Sequence, residues 1–261
     1  MGIDVGGNIL SSSGFDSSGN IVNSPSIVTD GLVLWIDAGY LVSYNNTSNY
    51  YDCGYGCQYY ASDPGCTNCN TQVKDMSGYG NDGVLQNGVY VEYSNVGGTI
   101  LFDGTNDYIS MVNSTTLDTQ TPTVETWIKT NATTQNGFFF EKGSVNTEYS
   151  LFQEGGSICW RQGGLSQYTT TATYINTSNW AHIVGTFVSG DRRTYINGVC
   201  VNSDTQTGTV GTNSGGMTIG CYGGGGYMYN GRISTVRVYT KVLSATEVLQ
   251  NFNEGRQRFG I

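Results

Sequence analysis

Charge is scarce in this sequence. Lysine, arginine, aspartate and glutamate make up 12% of its 261 residues, about half the ~25% of an ordinary soluble domain. Basic side chains are scarcer still, 11 against 20 acidic, which leaves a formal charge of −9. Phosphate backbones and anionic lipid surfaces repel such a chain, so neither nucleic acid nor a membrane is expected as a partner. Long apolar runs are missing as well, and nothing approaches the ~20 residues a bilayer span requires. The opening MGIDVGGNILSSS has neither a basic n-region nor an apolar h-region, so no signal peptide is read there and synthesis is expected in a cytosol.

Groups that cut bonds are also lacking. His182 is the only histidine, and no serine or cysteine stands in a nucleophile motif, so a hydrolytic triad has no support. Glycoside hydrolysis needs two carboxylates about 5–10 Å apart, which on a strand means acids two positions apart. Glu125 shares V-E-T-W-I-K with Trp127 and Lys129, and Glu141 is alone in F-F-F-E-K. The chain therefore reads as non-enzymatic, and His182, in W-A-H-I-V-G-T-F, reads as a framework residue.

What is abundant points to strands and turns. Glycine reaches 38 residues, about double the usual ~7%, and tyrosine reaches 19. Aromatic and β-branched residues are too plentiful for a disordered chain, and a chain of this length buries roughly 75% of its unfolded surface without needing a staple. Short strands are expected at Gly31–Asp37, Ile100–Asp103, Tyr108–Val112, Val124–Thr130, Phe138–Glu141, Tyr149–Phe152, Ile158–Arg161, Thr169–Tyr174, Ala181–Val188, Thr194–Ile196, Val199–Val201 and Met217–Cys221. Ser189-Gly190-Asp191 and Asn197-Gly198 are turns, the latter of type I′. Ile233–Tyr239 reads as a strand buried on both faces, with Val236 and Val238 on one side and Ile233 and Tyr239 on the other. Ser244 and Glu247 form a capping box. A short helix follows with Ala245, Val248, Leu249 and Phe252 as its apolar stripe, and Gly255 is expected to stop it. These thirteen short strands, with one helix at the end, predict an all-β, two-sheet antiparallel sandwich with the helix laid across it.

Within that order, residues 1–30 are a Gly/Ser/Asn-rich N-terminal arm, either a flexible leader or a segment that orders against a neighbouring subunit. Residues 31–261 form the sandwich, with a Cys-rich insertion at about 40–74.

The ending NGRISTVRVYTKVLSATEVLQNFN carries a resemblance. Gly231, Ile233, Val236, Arg237, Val238, Tyr239, Leu243, Ser244 and Glu247 match the G-x-I-x-x-V-R-I-Y-x-x-x-L-S-x-x-E ending of laminin G-like domains of the concanavalin A-like lectin/glucanase superfamily. GLVLWIDAG (31–39), DMSGYGNDGVLQNGV (75–89), LFDGTNDYI (101–109) and WAHIVGTFVSGDRRTYINGVCV (180–201) match in the same order. LVLWIDA paired with QNFNEGRQRFG resembles the versions found in tailed-phage virion proteins. The resemblance implies a concanavalin A-like jelly roll and a structural role on a virion surface, as capsid decoration, head fibre or appendage. The partners it implies are capsid or other virion proteins, with homo-oligomers on the particle and host surface glycans as ligands. A carbohydrate-binding module or lectin outside a virion is the first alternative, and a glycoside hydrolase the second. Sugar-cutting relatives carry an E-x-D-x-E pattern that this chain lacks.

Three sets of residues are candidate sites. Cys53, Cys57, Cys66 and Cys69 place four thiols in seventeen residues. They suit a zinc site, two disulfides or free thiols, and all three readings are structural. Cys159, Cys200 and Cys221 fall on strands and read as buried small apolar residues. Asp103 and Asp107 flank a loop where some relatives hold calcium, although two acids fall short of the six to eight oxygens calcium prefers, and Asp103 as a turn cap is the simpler reading. Tyr222, Tyr227 and Tyr229 border the Gly223–Gly226 run, which lacks the lysine and helix of a phosphate loop. With Trp160 and Tyr168 they are candidates for stacking on sugar rings.

Overall fold

The computed structural model describes residues 27–39, 72–94, 96–143, 148–165, 169–170, 175–223 and 225–261. Sixteen strands precede one helix in these residues. In chain order they are β1 (Leu32–Asp37), β2 (Gln72–Val73), β3 (Gly83–Gln86), β4 (Tyr90–Ser94), β5 (Gly97–Asp103), β6 (Tyr108–Met111), β7 (Thr123–Thr130) and β8 (Gly137–Lys142). After them come β9 (Tyr149–Glu154), β10 (Ser157–Gln162), β11 (Thr169–Thr170), β12 (Ala181–Val188), β13 (Asp191–Ile196), β14 (Val199–Asp204), β15 (Met217–Ile219), β16 (Asn230–Tyr239) and α1 (Ala245–Arg256).

They build two eight-stranded sheets. The first runs β14-β13-β12-β7-β16-β5-β4, with β1 paired to the far end of β16, and the second runs β11-β10-β9-β8-β15-β6-β3-β2. The pairings are antiparallel, and between consecutive strands such as β12, β13 and β14 the short turns dictate it. Asn197 and Gly198 both take positive φ, 50° and 79°, as a type I′ hairpin requires. Ile36, Ile100, Phe102, Ile128, Leu151, Ile158, Trp160 and Val236 meet between the sheets in one core cluster. This is the predicted sandwich.

β16 is buried along almost its whole length, but its faces differ from the alternation read in the sequence. The pairing with β7 shifts register between Ile233 and Thr235. A bulge adds one residue and reverses the parity of everything after it. Ile233, Val236 and Val238 therefore share the inner core, while Tyr239 joins a second cluster on the outer face with Trp35, Leu243 and Val248.

α1 lies on that outer face. Ser244 caps it, accepting from the Glu247 backbone N–H while the Glu247 carboxylate accepts from the Ser244 N–H at 2.8 Å. Its buried residues are Val248, Asn251 and Phe252, and Leu249 is 45% exposed. Asn251 thus holds the inward position expected of Leu249, because the sheet beneath presents Glu125 and Tyr239, to which its amide donates at 2.6 and 3.0 Å. Gly255 does not stop the helix but lies within its last turn. A Cβ there would stand 2.8 Å from the Trp127 indole, so the glycine lets the helix approach that ring.

Two boundaries move. The Val28 backbone N–H donates to Asn251 Oδ1 at 2.8 Å and its side chain packs with Leu32 and Trp35, so the sandwich begins inside the stretch assigned to the arm. Gln72 and Val73, inside the stretch assigned to the insertion, pair with β3. Residues 1–26 and 40–71, with all four clustered cysteines, lie outside the described residues.

Candidate functional site

The loop between β15 and β16 is closed by its own backbone. Tyr222 N–H donates to Gly226 O at 2.7 Å and Gly226 N–H returns the bond to Tyr222 O at 2.9 Å. Glu141, on β8, accepts from Gly223 N–H at 2.6 Å and ties the loop to the second sheet. Gly223 takes φ 59°, at no steric cost because it lacks a Cβ. Tyr227 has no such freedom, yet it sits at φ 45°. A bulky residue there is strained by about 1–3 kcal/mol and persists only where its surroundings hold it. Its carbonyl accepts from Phe138 N–H at 3.2 Å, and its side chain is 56% exposed.

Below the loop the outer face of the second sheet carries an aromatic cluster. Register brings Phe138 opposite Phe152, and Phe152 opposite Cys159. The two phenylalanine rings stack at 4.4 Å with an interplanar angle of 2°. Tyr222 lies 4.8 Å from Phe138, and Tyr227 lies 5.6 Å from Tyr222 in an edge-on arrangement. The Arg161 guanidinium sits over three of these rings, 5.0 Å from Phe152 and 5.6 Å from both Phe138 and Tyr222. Its Nη2 is 4.0 Å from Glu141 Oε1. The exposed Tyr227 ring beside these stacked rings offers an apolar face of the kind that packs against a flat ligand.

Two of the residues expected here are elsewhere. Trp160 and Tyr229 are both 0% exposed. Trp160 lies between Cys159 and Arg161 on β10, so strand alternation turns its ring inward. Its Nε1 donates to Thr186 O at 3.0 Å, and Gly185 leaves room for the ring. Tyr229 packs edge-on to Phe139 at 5.1 Å. Both are core residues. Tyr168 lies outside the described residues. Phe138, Phe152 and Arg161 were not singled out in the sequence, since only cross-strand register brings them together.

Asp103 and Asp107 are neighbours but are engaged by the turn. Asp103 Oδ1 accepts from Thr105 N–H at 2.7 Å and Asn106 N–H at 3.3 Å, and Asp107 Oδ2 accepts from Asp103 N–H at 3.2 Å. These bonds give both carboxylates a turn-capping role, and among the described residues no three His, Cys, Asp or Glu side chains gather as a metal cage. Burial, then the Asp103 charge, pushes the Asp107 carboxyl up from 3.8 to about 6. A folded value above the unfolded one means that ionising Asp107 costs stability as pH rises between those values. Asp107→Asn is therefore expected to raise Tm near neutral pH and to leave it unchanged in strong acid. Added calcium should not reproduce the gain. Thermal melts across pH, with and without calcium, check this.

Of the remaining cysteines, Cys159 and Cys221 are buried as expected, but Cys200 is exposed. It is the second residue of β14, the edge strand of the first sheet, whose side chains have little covering them. His182 sits inside the framework: its Nε2 is 3.2 Å from Glu125 Oε1 and its ring lies 4.9 Å from Trp127. Among the described residues no helix is long and apolar enough to cross a membrane.

With this geometry in hand, known proteins give a consistent picture. No curated protein sequence matches the chain. In structure it is similar to the binding domain of Paraclostridial Mosquitocidal Protein 1, with TM-score 0.62 and 16% identity over 86% of this chain and 52% of that one. It is similar to the binding domain of botulinum neurotoxin DC, solved with rat synaptotagmin II, with TM-score 0.62 and 14% identity over 87% and 52% of the two chains. It is also similar to domain 4 of AbnA, an extracellular arabinanase from Geobacillus stearothermophilus, solved with arabinotriose, with TM-score 0.55 and 18% identity over 68% and 91%. The chain spans about half the length of the toxin binding domains, and at these identities the likeness is one of fold. Residues 103–249 match the sequence profile described as the concanavalin A-like lectin/glucanases superfamily. That is more than half of the chain, which therefore belongs to this laminin G-like family.

Proposed function

We propose that this protein is a non-enzymatic adhesion module that holds glycans at the loop between β15 and β16, and that it does so as a repeated structural component of a tailed-phage particle. The observation that carries the glycan reading is Tyr227, exposed and held in left-handed backbone against Tyr222 and Phe138. Strain of this kind marks positions whose geometry is used. Within the patch, Glu141 is engaged by Arg161 and the Gly223 backbone and has no second carboxylate beside it on β8, which supports a holding role over a cutting one. The virion placement rests on the resemblance of LVLWIDA and QNFNEGRQRFG.

Tyr227→Gly separates binding from folding. It removes the ring and relieves the backbone, so Tm should hold or rise. Affinity for the glycans retained on an array should fall about 10-fold, an aromatic contact of about 1.4 kcal/mol corresponding to that factor. A glycan array that retains nothing would overturn the adhesive reading. Absence of the chain from purified particles would overturn the virion placement alone. It would leave a free-standing carbohydrate-binding module, a reading favoured by the 91% coverage of the arabinanase domain solved with arabinotriose.

A further inference from the structure

We propose that Lys142 and Asn113 are joined by an intramolecular amide bond that the folded chain makes for itself, with Glu148 moving the protons. Lys142 ends β8 with its side chain completely buried. Its Nζ stands 2.8 Å from Asn113 Oδ1, 3.0 Å from Glu148 Oε1 and 3.1 Å from Asp118 Oδ1. One ammonium needs one counter-ion. Here two carboxylates, Glu148 dry and Asp118 partly exposed, and a carboxamide converge on it, which leaves one negative charge in excess. Asp118 Oδ1 makes no hydrogen bond. Glu148 is buried and is steadied by Asn213 N–H at 3.1 Å.

That constellation suits amide formation better than mere charge pairing. An amine that hands its proton to a neighbouring carboxylate becomes a nucleophile, and the carboxamide it would attack is already in contact. Proximity of this kind replaces a bimolecular encounter with an intramolecular one. Nζ attacks Asn113 Cγ, the Nζ–Cγ bond forms and the Cγ–Nδ2 bond breaks. Nζ gives up two protons through Glu148, one to Nδ2 and one to solvent, and Nδ2 leaves as ammonia with the bonding electron pair. No oxidant, metal or cofactor takes part. Asn113 is itself exposed, so the ammonia has a way out.

The bond would link positions 29 apart in sequence. It would tie the end of β8 to the segment after β6, flanking β15, which pairs with both. The centre of the second sheet would then be closed covalently, without cysteine.

The test is mass spectrometry of the full chain, reduced and denatured, followed by a tryptic map. The expected result is a mass lower by one ammonia, located by fragmentation to a branched peptide joining Asn113 and Lys142. Lys142→Arg and Asn113→Ala should each restore the full mass. Glu148→Gln should keep the circular dichroism of the fold and also run at full mass. A wild-type chain at full mass overturns the proposal. So does a loss of one water, which would put the bond on a carboxylate, or a lost ammonia with trypsin still cutting at Lys142, which would be a succinimide elsewhere. Efficient cross-linking in Glu148→Gln would overturn the role given to that glutamate.

Discussion

Replacing Glu125 by alanine is expected to cost about 3–5 kcal/mol, the loss typical of a buried ion pair deprived of one partner. Glu125 is fully buried on the outer face of β7, between the sheet and α1. Its Oε1 is paired with Arg237 Nη1 and lies 3.2 Å from His182 Nε2, and its Oε2 accepts from Asn251 Nδ2 at 2.6 Å. Asn251 also donates to the Tyr239 hydroxyl and accepts from the Val28 backbone. One carboxylate therefore joins β7, β12, β16, α1 and the chain entering β1. Alanine would leave the Arg237 guanidinium in the same dry place without its counter-ion. Arg237 lies over the Trp35 ring at 5.4 Å, but an aromatic face does not replace a carboxylate at this depth.

The same site sets an acid limit. Burial pushes the Glu125 carboxyl up, but the Arg237 charge, the adjacent His182 and the hydrogen bond from Asn251 outweigh it, and it settles at about 2 against 4.5 unfolded. A depressed folded value gives stability that is present above 4.5 and is lost as pH falls toward 2. The difference corresponds to about 3 kcal/mol. Glu125→Gln should accordingly flatten the fall in stability across that window, and Glu125→Ala should lower the denaturation free energy at every pH above it. Urea unfolding at several pH values measures both. A wild-type-like acid profile for the glutamine variant would show that the pair does not govern acid stability.

Arg258→Ala is the second change expected to be severe, again about 3–5 kcal/mol. Asp37, at the end of β1, is almost wholly buried. Arg258 reaches it from beyond α1, with Nη1 at 2.8 and 3.0 Å from its two oxygens. The other nitrogens of the same guanidinium donate to Val96 O at 2.6 Å, Gly98 O at 3.2 Å and Ser234 Oγ at 2.6 Å. Without Arg258, Asp37 loses the charge that Nη1 places against both of its oxygens, and the neutral Gly39 N–H does not replace it. Arg258→Lys should recover only part of the loss, because an ammonium on a flexible stem cannot reach β1, β5 and β16 together as a planar fork does. Phe259 stacks on Trp127 at 4.2 Å, so Phe259→Ala serves as a control for packing alone. If Arg258→Ala melts no lower than that control, the tail is decoration and not a clasp.

Much of the fold was legible without coordinates, for identifiable reasons. Ser244 with Glu247, and Asn197 with Gly198, are local devices: their hydrogen bonds and dihedrals close within four residues, so identity and spacing suffice to read them. The two-layer class was legible because alternation, short spacing and turn residues all pointed the same way. The site was only half legible. Tyr222 and Tyr227 are marked by the glycine run beside them, whereas nothing local marks Trp160 and Tyr229 as the core residues they are. An aromatic residue on a strand carries no mark of which sheet face is the inner one.

The amino-acid order by itself determined the sandwich, its terminal helix, the turns and the shortage of paired acids, because each follows from near-neighbour patterns. Tertiary structure decided which face of each strand is inside, since the bulge after Ile233 reverses the count and pairing across sheets settles the rest. It also decided how the isolated charges are used. Glu125 meets Arg237 from 112 positions away and Asp37 meets Arg258 from 221, and no local pattern could have named either partner. The physical cause is the same in both cases: a buried charge must find its counter-ion, and only the folded chain brings the two together.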